Sequence, residues 1–327
     1  MDGALLNPNN MSINSGCVVT AATLRATEDC PYFTYNSWGR IVVTGLCSVT
    51  TTVDPYFTRN AADDDATVEF GSFYANTPGK WTYINAKTII AGAGGMDIAT
   101  QVNFENARTL YSRTSGFELN SSGGQYITHG DGLIIDTTQY ETELPATITI
   151  NGVVKYQRSV RPGKFTVVGC GKVLFNSVST FTGGLTITNT ATVAVNAGKK
   201  AGDGLVTVCS NATFEVAQSG TVALGGGLTL ADGAVLGFNF TERDTEPVLD
   251  ATGKTVTANG TIVVKVSSAD ELRPKGGPNV LTAGGAFTGA NVSLAPGAPD
   301  WAKGVSVNAE GNIVLAVKPG GTFIIVR

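Results

Sequence analysis

The chain has 327 residues, of which 22 are Lys or Arg and 26 are Asp or Glu, giving a formal net charge of −4. Charged residues make up 15% of the chain, well below the usual quarter, and 41 residues are glycine. Nucleic-acid binding requires clustered Lys and Arg, which the sequence lacks, and its apolar runs are too short to cross a bilayer. We therefore expect neither a nucleic-acid partner nor a membrane span.

The chain begins with Met1-Asp2-Gly3 and continues into polar, Asn-rich sequence, without the basic start and apolar core of a signal peptide. The end of the chain also leaves no room for a membrane-barrel translocator. A cytoplasmic protein and a mature or excised fragment of a surface protein both fit these ends. The type of repeat described below makes us prefer the second interpretation.

Residues 1–60 show short apolar stretches without a regular period. We interpret them as an N-terminal cap, or as atypical first turns, of the repeat structure that follows, because an open hydrophobic end needs a cover. The alternative is an aromatic platform for a ligand. It would be formed by the cluster Tyr32, Phe33, Tyr35 and Trp38.

Five cysteines is an odd number, and their spacing does not suggest a zinc site. The repeat places Cys170 and Cys209 about two turns apart, roughly 10 Å along the stack and beyond disulfide reach. We predict that these two stay free. Cys17, Cys30 and Cys47 could supply one disulfide, and the sequence leaves the pairing open.

Residues 61–145 continue the β alternation irregularly, with glycine turns and gaps that predict protruding loops. The acidic run Asp63-Asp64-Asp65, with Glu69, is a calcium candidate. Because consecutive carboxylates diverge, we interpret it instead as a solvated turn. His129, the only histidine, stands in Thr-His-Gly-Asp, which lacks the paired Asp motifs of polygalacturonases, and we interpret it as a turn residue.

Residues 146–270 contain a regular repeat that is aligned on Ala191, Ala212 and Ala234. An alternating apolar pair begins six residues before each alanine, and a second pair begins two residues after it. The first pairs are Leu185/Ile187, Val206/Val208 and Leu228/Leu230, and the second pairs are Val193/Val195, Phe214/Val216 and Leu236/Phe238. The same offset returns upstream at Phe165/Val167 with Val173/Phe175, and downstream at Val256/Ala258 with Val264/Val266.

This repeat predicts an all-β fold, a right-handed parallel β-helix with about 20–22 residues in each turn, or rung. Side chains two residues apart point to one face of a strand, so each apolar pair faces the inside of the coil. A β-sandwich would also show many short strands, but it would not keep a constant eight-residue offset between pairs.

The segments Phe175–Gly198 and Gly202–Phe238, with the turn Phe181-Thr182-Gly183-Gly184, resemble the autotransporter-associated β-strand repeat of bacterial surface proteins. The resemblance covers roughly residues 163–318. It implies a β-helix passenger that is extracellular or on the cell surface, and it names neither a ligand nor site residues.

Residues 271–327 contain the last predicted strands, Val280–Thr282, Val292–Leu294, Val305–Val307, Ile313–Val317 and Phe323–Val326. We divide the chain into an N-terminal cap or atypical rungs (1–60), irregular rungs with loops (61–145), regular rungs (146–270), and C-terminal rungs and cap (271–327).

The sequence contains no motif for a catalytic, cofactor-binding or metal site, and we predict no enzyme and no cofactor. We expect a non-catalytic, secreted or cell-surface structural or adhesive rod. Its partners would be host or matrix glycans or proteins, or further copies of the chain through the solenoid ends. The alternatives are a self-assembling extracellular fibre subunit or phage-type receptor-binding spike, and a carbohydrate-active β-helix enzyme (lyase or glycoside hydrolase).

These hypotheses differ in what they require of the structure. An enzyme should gather acidic and basic side chains in one groove. A filament should expose a flat apolar end, such as the strand Phe323–Val326. A plain rod should present a wall of Thr and Asn.

Overall fold

The computed structural model describes residues 5–6, 11–13, 18–26, 34–37, 40–49, 56–57, 67–79, 81–84, 86–105, 108–129, 132–156, 163–269 and 272–318. Every helix or strand within these ranges is a β-strand. The predicted all-β class is therefore confirmed.

The strands of the first half are β1 (Leu5–Leu6), β2 (Met11–Ile13), β3 (Val18–Ala21), β4 (Thr23–Ala26), β5 (Thr34–Ser37), β6 (Arg40–Val49), β7 (Tyr56–Phe57), β8 (Thr67–Ala75), β9 (Trp81–Ile84), β10 (Thr88–Ile98), β11 (Gln101–Glu105), β12 (Arg108–Ser112), β13 (Gly116–Ser121), β14 (Gln125–His129), β15 (Leu133–Gln139), β16 (Thr147–Ile150) and β17 (Val153–Tyr156).

The strands of the second half are β18 (Phe165–Val168), β19 (Lys172–Phe175), β20 (Val178–Ser179), β21 (Leu185–Ile187), β22 (Thr192–Val195), β23 (Lys200–Ala201), β24 (Val206–Val208), β25 (Thr213–Val216), β26 (Gly220–Ala223), β27 (Leu228–Leu230), β28 (Val235–Phe240), β29 (Pro247–Asp250), β30 (Val256–Ala258), β31 (Thr261–Ser268), β32 (Gly277–Val280), β33 (Thr282–Ala283), β34 (Asn291–Leu294), β35 (Ala302–Val307) and β36 (Ile313–Val317).

Strands one rung apart pair in parallel, so the chain coils as a β-solenoid with three walls. Wall A contains β3, the first halves of β6, β8 and β10, and then β12, β15, β18, β21, β24, β27 and β30. Wall B contains β1, β4, the second halves of β6, β8 and β10, and then β13, β16, β19, β22, β25, β28, β31 and β34. Wall C is built from the remaining short parallel strands, from β2 to β33.

The register that the repeat predicts is confirmed. On wall A, Leu185 pairs with Val206 and Val206 pairs with Leu228. On wall B, Val193 pairs with Phe214, and Phe214 pairs with Leu236. Because aligned apolar side chains all point inward, one continuous core fills the coil.

The three alanines on which the repeat was aligned lie at the turn between wall A and wall B. Ala191, Ala212 and Ala234 are fully buried, and each backbone N–H donates to the carbonyl oxygen three residues earlier. The residue before Ala212 is Asn211 and the residue before Ala234 is Gly233, and both have positive φ. Asn and Gly tolerate this left-handed conformation, which explains their presence at the turn.

Aromatic rings fill the core at the start of the regular repeat. The ring centroids of Phe165 and Phe181 lie 5.3 Å apart in a stacked arrangement, and those of Phe165 and Phe175 lie 5.6 Å apart, edge to face. Phe181 belongs to the predicted Phe-Thr-Gly-Gly turn and is fully buried. Its ring occupies the space that a Cβ on Gly202 would need in the next rung.

An asparagine ladder follows the end of the wall B strands through four consecutive rungs. Asn151 donates to the side-chain oxygen of Asn120 (2.7 Å), Asn176 donates to Asn151 (3.0 Å) and Asn196 donates to Asn176 (3.0 Å). Glu118 accepts hydrogen bonds from Asn120 and Asn151 at one end. Each amide thus satisfies its neighbour and ties adjacent rungs together.

The C-terminal part of the solenoid combines parallel strands with an antiparallel sheet. Strand β34 continues wall B and β33 continues wall C, whereas β32, β36 and β35 pair in antiparallel fashion. Ile313 and Leu315 of this sheet are fully buried, and Trp301 packs edge to face against Phe240. The sheet therefore covers the apolar core at this end.

Candidate functional site

A glycine-lined corner between wall A and wall B forms a groove in the first half of the chain. Here β6, β8 and β10 each run through both walls, with shifts of register at the corner. The groove encloses about 440 Å³ and is lined by glycines of three successive rungs, by Glu69 and by Arg113. We call it the corner groove.

Close stacking of the backbone explains the glycines. A Cβ on Gly71 would lie 2.3 Å from the carbonyl oxygen of Thr44, and one on Gly92 would lie 2.8 Å from the Cα of Gly71. Real Cβ atoms do not approach backbone atoms so closely, so only glycine allows these rungs to stack. The glycines form the floor of the groove and offer no side chains, so the charged groups that line it are those of Glu69 and Arg113 at its edge.

Arg113 is the central charged residue at the edge of the corner groove. Its Nε donates to Oε1 of Glu69 (2.9 Å) and its Nη2 donates to Oε2 of the same carboxylate (2.8 Å). Its Nη1 donates to Oε2 of Glu141 (2.7 Å), and its Cζ lies 5.0 Å from the ring centroid of Tyr140. The guanidinium is thus fixed by a bidentate pair, a second carboxylate and an aromatic face.

The three charged side chains differ in their exposure to solvent. Glu69 retains 15% of its side-chain exposure and Arg113 retains 28%, whereas Glu141 retains 59%. The side-chain hydrogen bond to Glu69 makes the largest contribution to raising the pKa of Arg113. The Glu69–Arg113 pair is therefore the protected part of the network, and Glu141 closes it from the solvent side.

This arrangement satisfies the geometric requirement that we set for an enzyme, because an acidic and a basic side chain, Glu69 and Arg113, line one groove, and Glu141 joins them through Arg113. The chemistry of glycoside hydrolysis asks for more. One carboxyl must hold a proton while the other acts as base or nucleophile. Here one guanidinium is shared by both carboxylates, an arrangement that also serves as a structural ion-pair network.

A tyrosine pair lies next to this network on wall A. The rings of Tyr111 and Tyr140 meet edge to face with centroids 5.4 Å apart. Burial is the main cause that raises the pKa of Tyr111, followed by the nearby Asp136 and Tyr140. Tyr111 stays a neutral hydrogen-bonding group at ordinary pH.

A second cavity, of about 400 Å³, lies near the C-terminal end and is lined by Arg243, Leu272 and Arg273 among others. Arg273 donates to the carbonyl oxygen of Lys318, and the N–H of Lys275 donates to the carbonyl oxygen of Arg243. The bond of Lys275 joins the loop after β28 to the segment before β32, and the bond of Arg273 joins that segment to the end of β36. We assign this cavity a structural role.

Threonines form a continuous column on the outside of wall A. Neighbouring rungs pair Thr166 with Thr186, Thr186 with Thr207, Thr207 with Thr229, and Thr229 with Thr257. We call these five residues the threonine column. Because the registers show no shift, the hydroxyls repeat at the strand spacing of about 4.8 Å.

Comparison with protein-family models, with curated proteins and with solved structures finds no match to this chain.

The predicted calcium candidate falls mostly outside the described residues. Asp63, Asp64 and Asp65 lie there, whereas Glu69 lies on β8 and pairs with Arg113. The predicted aromatic platform also lies largely outside the described residues, and Tyr35 is placed only as part of β5. In the part of the chain that is described, no group of three or more His, Cys, Asp or Glu could hold a metal ion.

His129 was interpreted as a turn residue, and this was wrong. It is the last residue of β14 and pairs with Glu105 of β11. Strand β14 extends to His129 because β11 continues to Glu105 and pairs with it in parallel. The residues next to His129 in the sequence do not reveal this partner strand.

The predicted free state of Cys170 and Cys209 is confirmed, and Cys47 is also free and is buried in the core. Burial raises the pKa of the Cys47 thiol far above its usual range. Cys17 and Cys30 lie outside the described residues. The structure describes no helix of the length and apolarity needed to traverse a bilayer.

Sequence reasoning missed the Glu69–Arg113–Glu141 network. Glu69 and Arg113 are 44 residues apart and are separated by two wall A steps of 21 residues each. The parallel pairs Glu69–Ile90 and Ile90–Tyr111 bring β8 and β12 onto one wall, two residues before Arg113. The signal available in the sequence was the 21-residue spacing of Thr67, Thr88 and Thr109, and this spacing does not place Arg113, which follows the end of β12.

Proposed function

We propose that this chain is a non-catalytic, extracellular or cell-surface β-helix passenger that serves as a structural and adhesive rod. The resemblance of its Phe-Thr-Gly-Gly turn and the rungs around it to the autotransporter-associated repeat supports the setting. The β-solenoid fold itself is consistent with a rod-like protein and with an enzymatic β-helix.

One observation carries the proposal: the ladder of wall B continues from strand to strand over its whole length. It begins at Leu5–Leu6 and ends at Asn291–Leu294, and each strand pairs in parallel with the next. At about 4.8 Å per rung this ladder is about 55–60 Å long. A continuous hydrogen-bonded column with one core suits a rigid spacer that holds a binding surface away from its anchor.

A carbohydrate-active enzyme is the second candidate, and the corner groove is the observation that favours it. Glu69 and Glu141 meet at Arg113 beside a cavity large enough for a sugar ring. We rank it second because both carboxylates already bind the same guanidinium. A catalytic acid must instead be free to deliver a proton to the glycosidic oxygen.

A fibre subunit that stacks end to end has less support. Within the described residues, the antiparallel sheet of β32, β36 and β35 covers the C-terminal end of the core. Because these strands pair in antiparallel fashion, they do not extend the parallel ladders of the walls into a second copy of the chain. The strand proposed for stacking, Phe323–Val326, lies outside the described residues.

The test measures adhesion and catalysis in the same wells. Beads coated with the purified chain are passed over immobilised neutral and anionic polysaccharides, and reducing ends and unsaturated uronides are measured in the wash. We expect retention of the beads without release of either product. Release of product by the wild-type chain, lost in Glu69→Gln, would contradict the proposal and establish the enzyme.

A further inference from the structure

Along its last four rungs, from Thr186 to Thr257, the threonine column lies on a face of wall A whose outward residues carry no charge, whereas the exposed Lys164 flanks Thr166 in the first rung. On its two sides the outward residues of the last four rungs are small, apolar or neutral: Gly184, Leu205, Gly227, Thr255, Thr188, Cys209, Ala231 and Asn259. The members of the column are half-buried to exposed, and Leu205 keeps 49% of its exposure. We call this surface the threonine face.

Wall B, on the next side of the same rungs, has a different character. Lys172 and Glu215 form an ion pair across an intervening rung (2.7 Å), and Lys265 is exposed further along. The low charge of the threonine face is therefore a property of wall A in these rungs and does not extend around the coil. A partner that fits it should be neutral, because a charged partner would lose water without gaining an opposite charge.

The size of the face argues against a protein partner. Five strands at about 4.8 Å, with about five residues across, present roughly 300 Å². A stable protein interface buries about 800 Å² on each side. A second copy of the chain would therefore not be held by this face alone, whereas a repeating polymer gains from many weak, identical contacts.

The spacing of the column supplies a further argument. Each threonine offers a hydroxyl that both donates and accepts a hydrogen bond, next to a methyl group. A sugar ring likewise combines hydroxyl groups with apolar C–H faces, and one ring is about as long as the spacing of about 4.8 Å between rungs. The hydroxyl and methyl groups of the column thus repeat at a spacing close to the length of one sugar ring in a neutral polymer.

We propose that the threonine face binds the surface of a neutral, insoluble polysaccharide, whose chains lie along the column. This inference rests on the proposed adhesive role of the rod and assigns that role to wall A. The column extends beyond the face in the same register, because Thr67, Thr88 and Thr109 pair in succession and Ile134 links them to Thr166. The polymer would therefore be guided toward the corner groove.

The test compares two isosteric double variants of the full chain. Thr186→Val with Thr207→Val removes two hydroxyls from the threonine face, and Thr149→Val with Thr192→Val removes two from the outside of wall B. All four threonines are half-buried, so equal melting temperatures are expected and serve as the folding control. Binding is measured by co-sedimentation with microcrystalline cellulose and with chitin, and reducing ends are assayed in the supernatant.

We expect the wild-type chain and the wall B variant to sediment with one of these polymers, and the apparent affinity of the threonine-face variant to fall about tenfold. Equal binding by both variants, or a wild-type chain that stays in solution, would overturn the inference. Two further results would overturn the inference. Self-association of the wild-type chain that only the threonine-face variant loses would assign the face to a second copy of the chain, and thermal hysteresis that only this variant loses would assign it to ice. Release of reducing ends would count against the rod as a whole, independently of which wall binds.

Discussion

One outward register of wall A carries threonines in two segments of the chain, Thr67, Thr88 and Thr109 in the first and the threonine column in the second, and the two segments surround them differently. In the groove segment (residues 67–141) the adjacent outward column on wall A contains Glu69, Tyr111 and Asp136, and the rungs vary in length. In the regular segment (residues 163–266) that column continues through Val168 and becomes neutral. Identical hydrogen-bond ladders therefore support a charged, indented surface at one end and a neutral, even surface at the other.

The two segments differ in the number of residues per rung, and this number decides whether a rung can form a loop. Between Phe165 and Leu228 partner residues are 20 to 22 positions apart, and the short turns leave no chain to form a loop. Between Leu133 and Phe165 the step is 32 residues, and the extra chain includes the turn that carries Glu141. Regular rungs thus build an extended surface, and longer rungs supply the side chains that close a groove.

The largest expected effect comes from the core of the regular segment. Phe181→Ala removes a ring that stacks on Phe165 and contacts Gly202, and we expect a loss of about 3–5 kcal/mol in the free energy of unfolding. Urea denaturation measures the loss. Leu205→Ala, on the exposed side of the neighbouring rung, is the control and should change stability by less than about 0.5 kcal/mol. Equal effects would mean that Phe181 is not a core residue.

The next effect tests the corner of the groove segment. Gly71→Ala places a Cβ against the carbonyl oxygen of Thr44, and we expect a loss of about 2 kcal/mol or more, because backbone cannot move aside as a side chain can. Gly304→Ala is the matched control, since nothing lies within 4 Å of its Cβ position. Thermal unfolding of the two variants should separate them clearly. A neutral Gly71→Ala would show that the corner is not tightly stacked.

A smaller effect is expected at the ion-pair network. Arg113→Ala leaves Glu69, with 15% of its side chain exposed, without its bidentate partner, and should cost about 1–3 kcal/mol. Arg113→Lys should recover only part of this loss in stability. The lysine keeps the positive charge, but its ammonium cannot form the two parallel hydrogen bonds of the planar guanidinium. Lys172→Ala, which breaks a pair joined by one hydrogen bond to Glu215 rather than by a bidentate contact, should cost about 0–1 kcal/mol. Similar losses in the Arg113 and Lys172 variants, measured by urea denaturation, would remove the distinction between the two pairs.

The last prediction concerns the reactivity of the native thiols and needs no substitution. Cys170 is exposed and should react quickly with an alkylating reagent, whereas Cys47 is buried and burial raises the pKa of its thiol. Because the thiolate is the reactive form, Cys47 should be labelled only when the groove end of the solenoid opens. Peptide mapping after timed alkylation measures both sites. Rapid labelling of Cys47 in native buffer would contradict its place in the core.

The sequence was sufficient for the regular segment because its information there is local. Period-2 pairs at a constant offset of eight residues specify which side chains point inward, and the buried Ala191, Ala212 and Ala234 mark each turn. The groove segment gave no such signal. The pairing of Glu69 with Arg113 depends on how the chain after β12 places Arg113, two residues beyond the position level with Glu69. The extended conformation of His129 depends on a partner strand.

The direction of the interstrand hydrogen bonds also bears on how the molecule responds to load. In a solenoid these bonds point along the long axis, so tension between the two ends acts on one rung at a time, as in a zipper. Each released rung of about 21 residues would add about 70 Å of extended chain. The asparagine ladder ties four adjacent rungs together by their side chains and would resist this peeling. A solenoid of this kind would therefore lengthen stepwise under strong pulling and dissipate energy with each released rung.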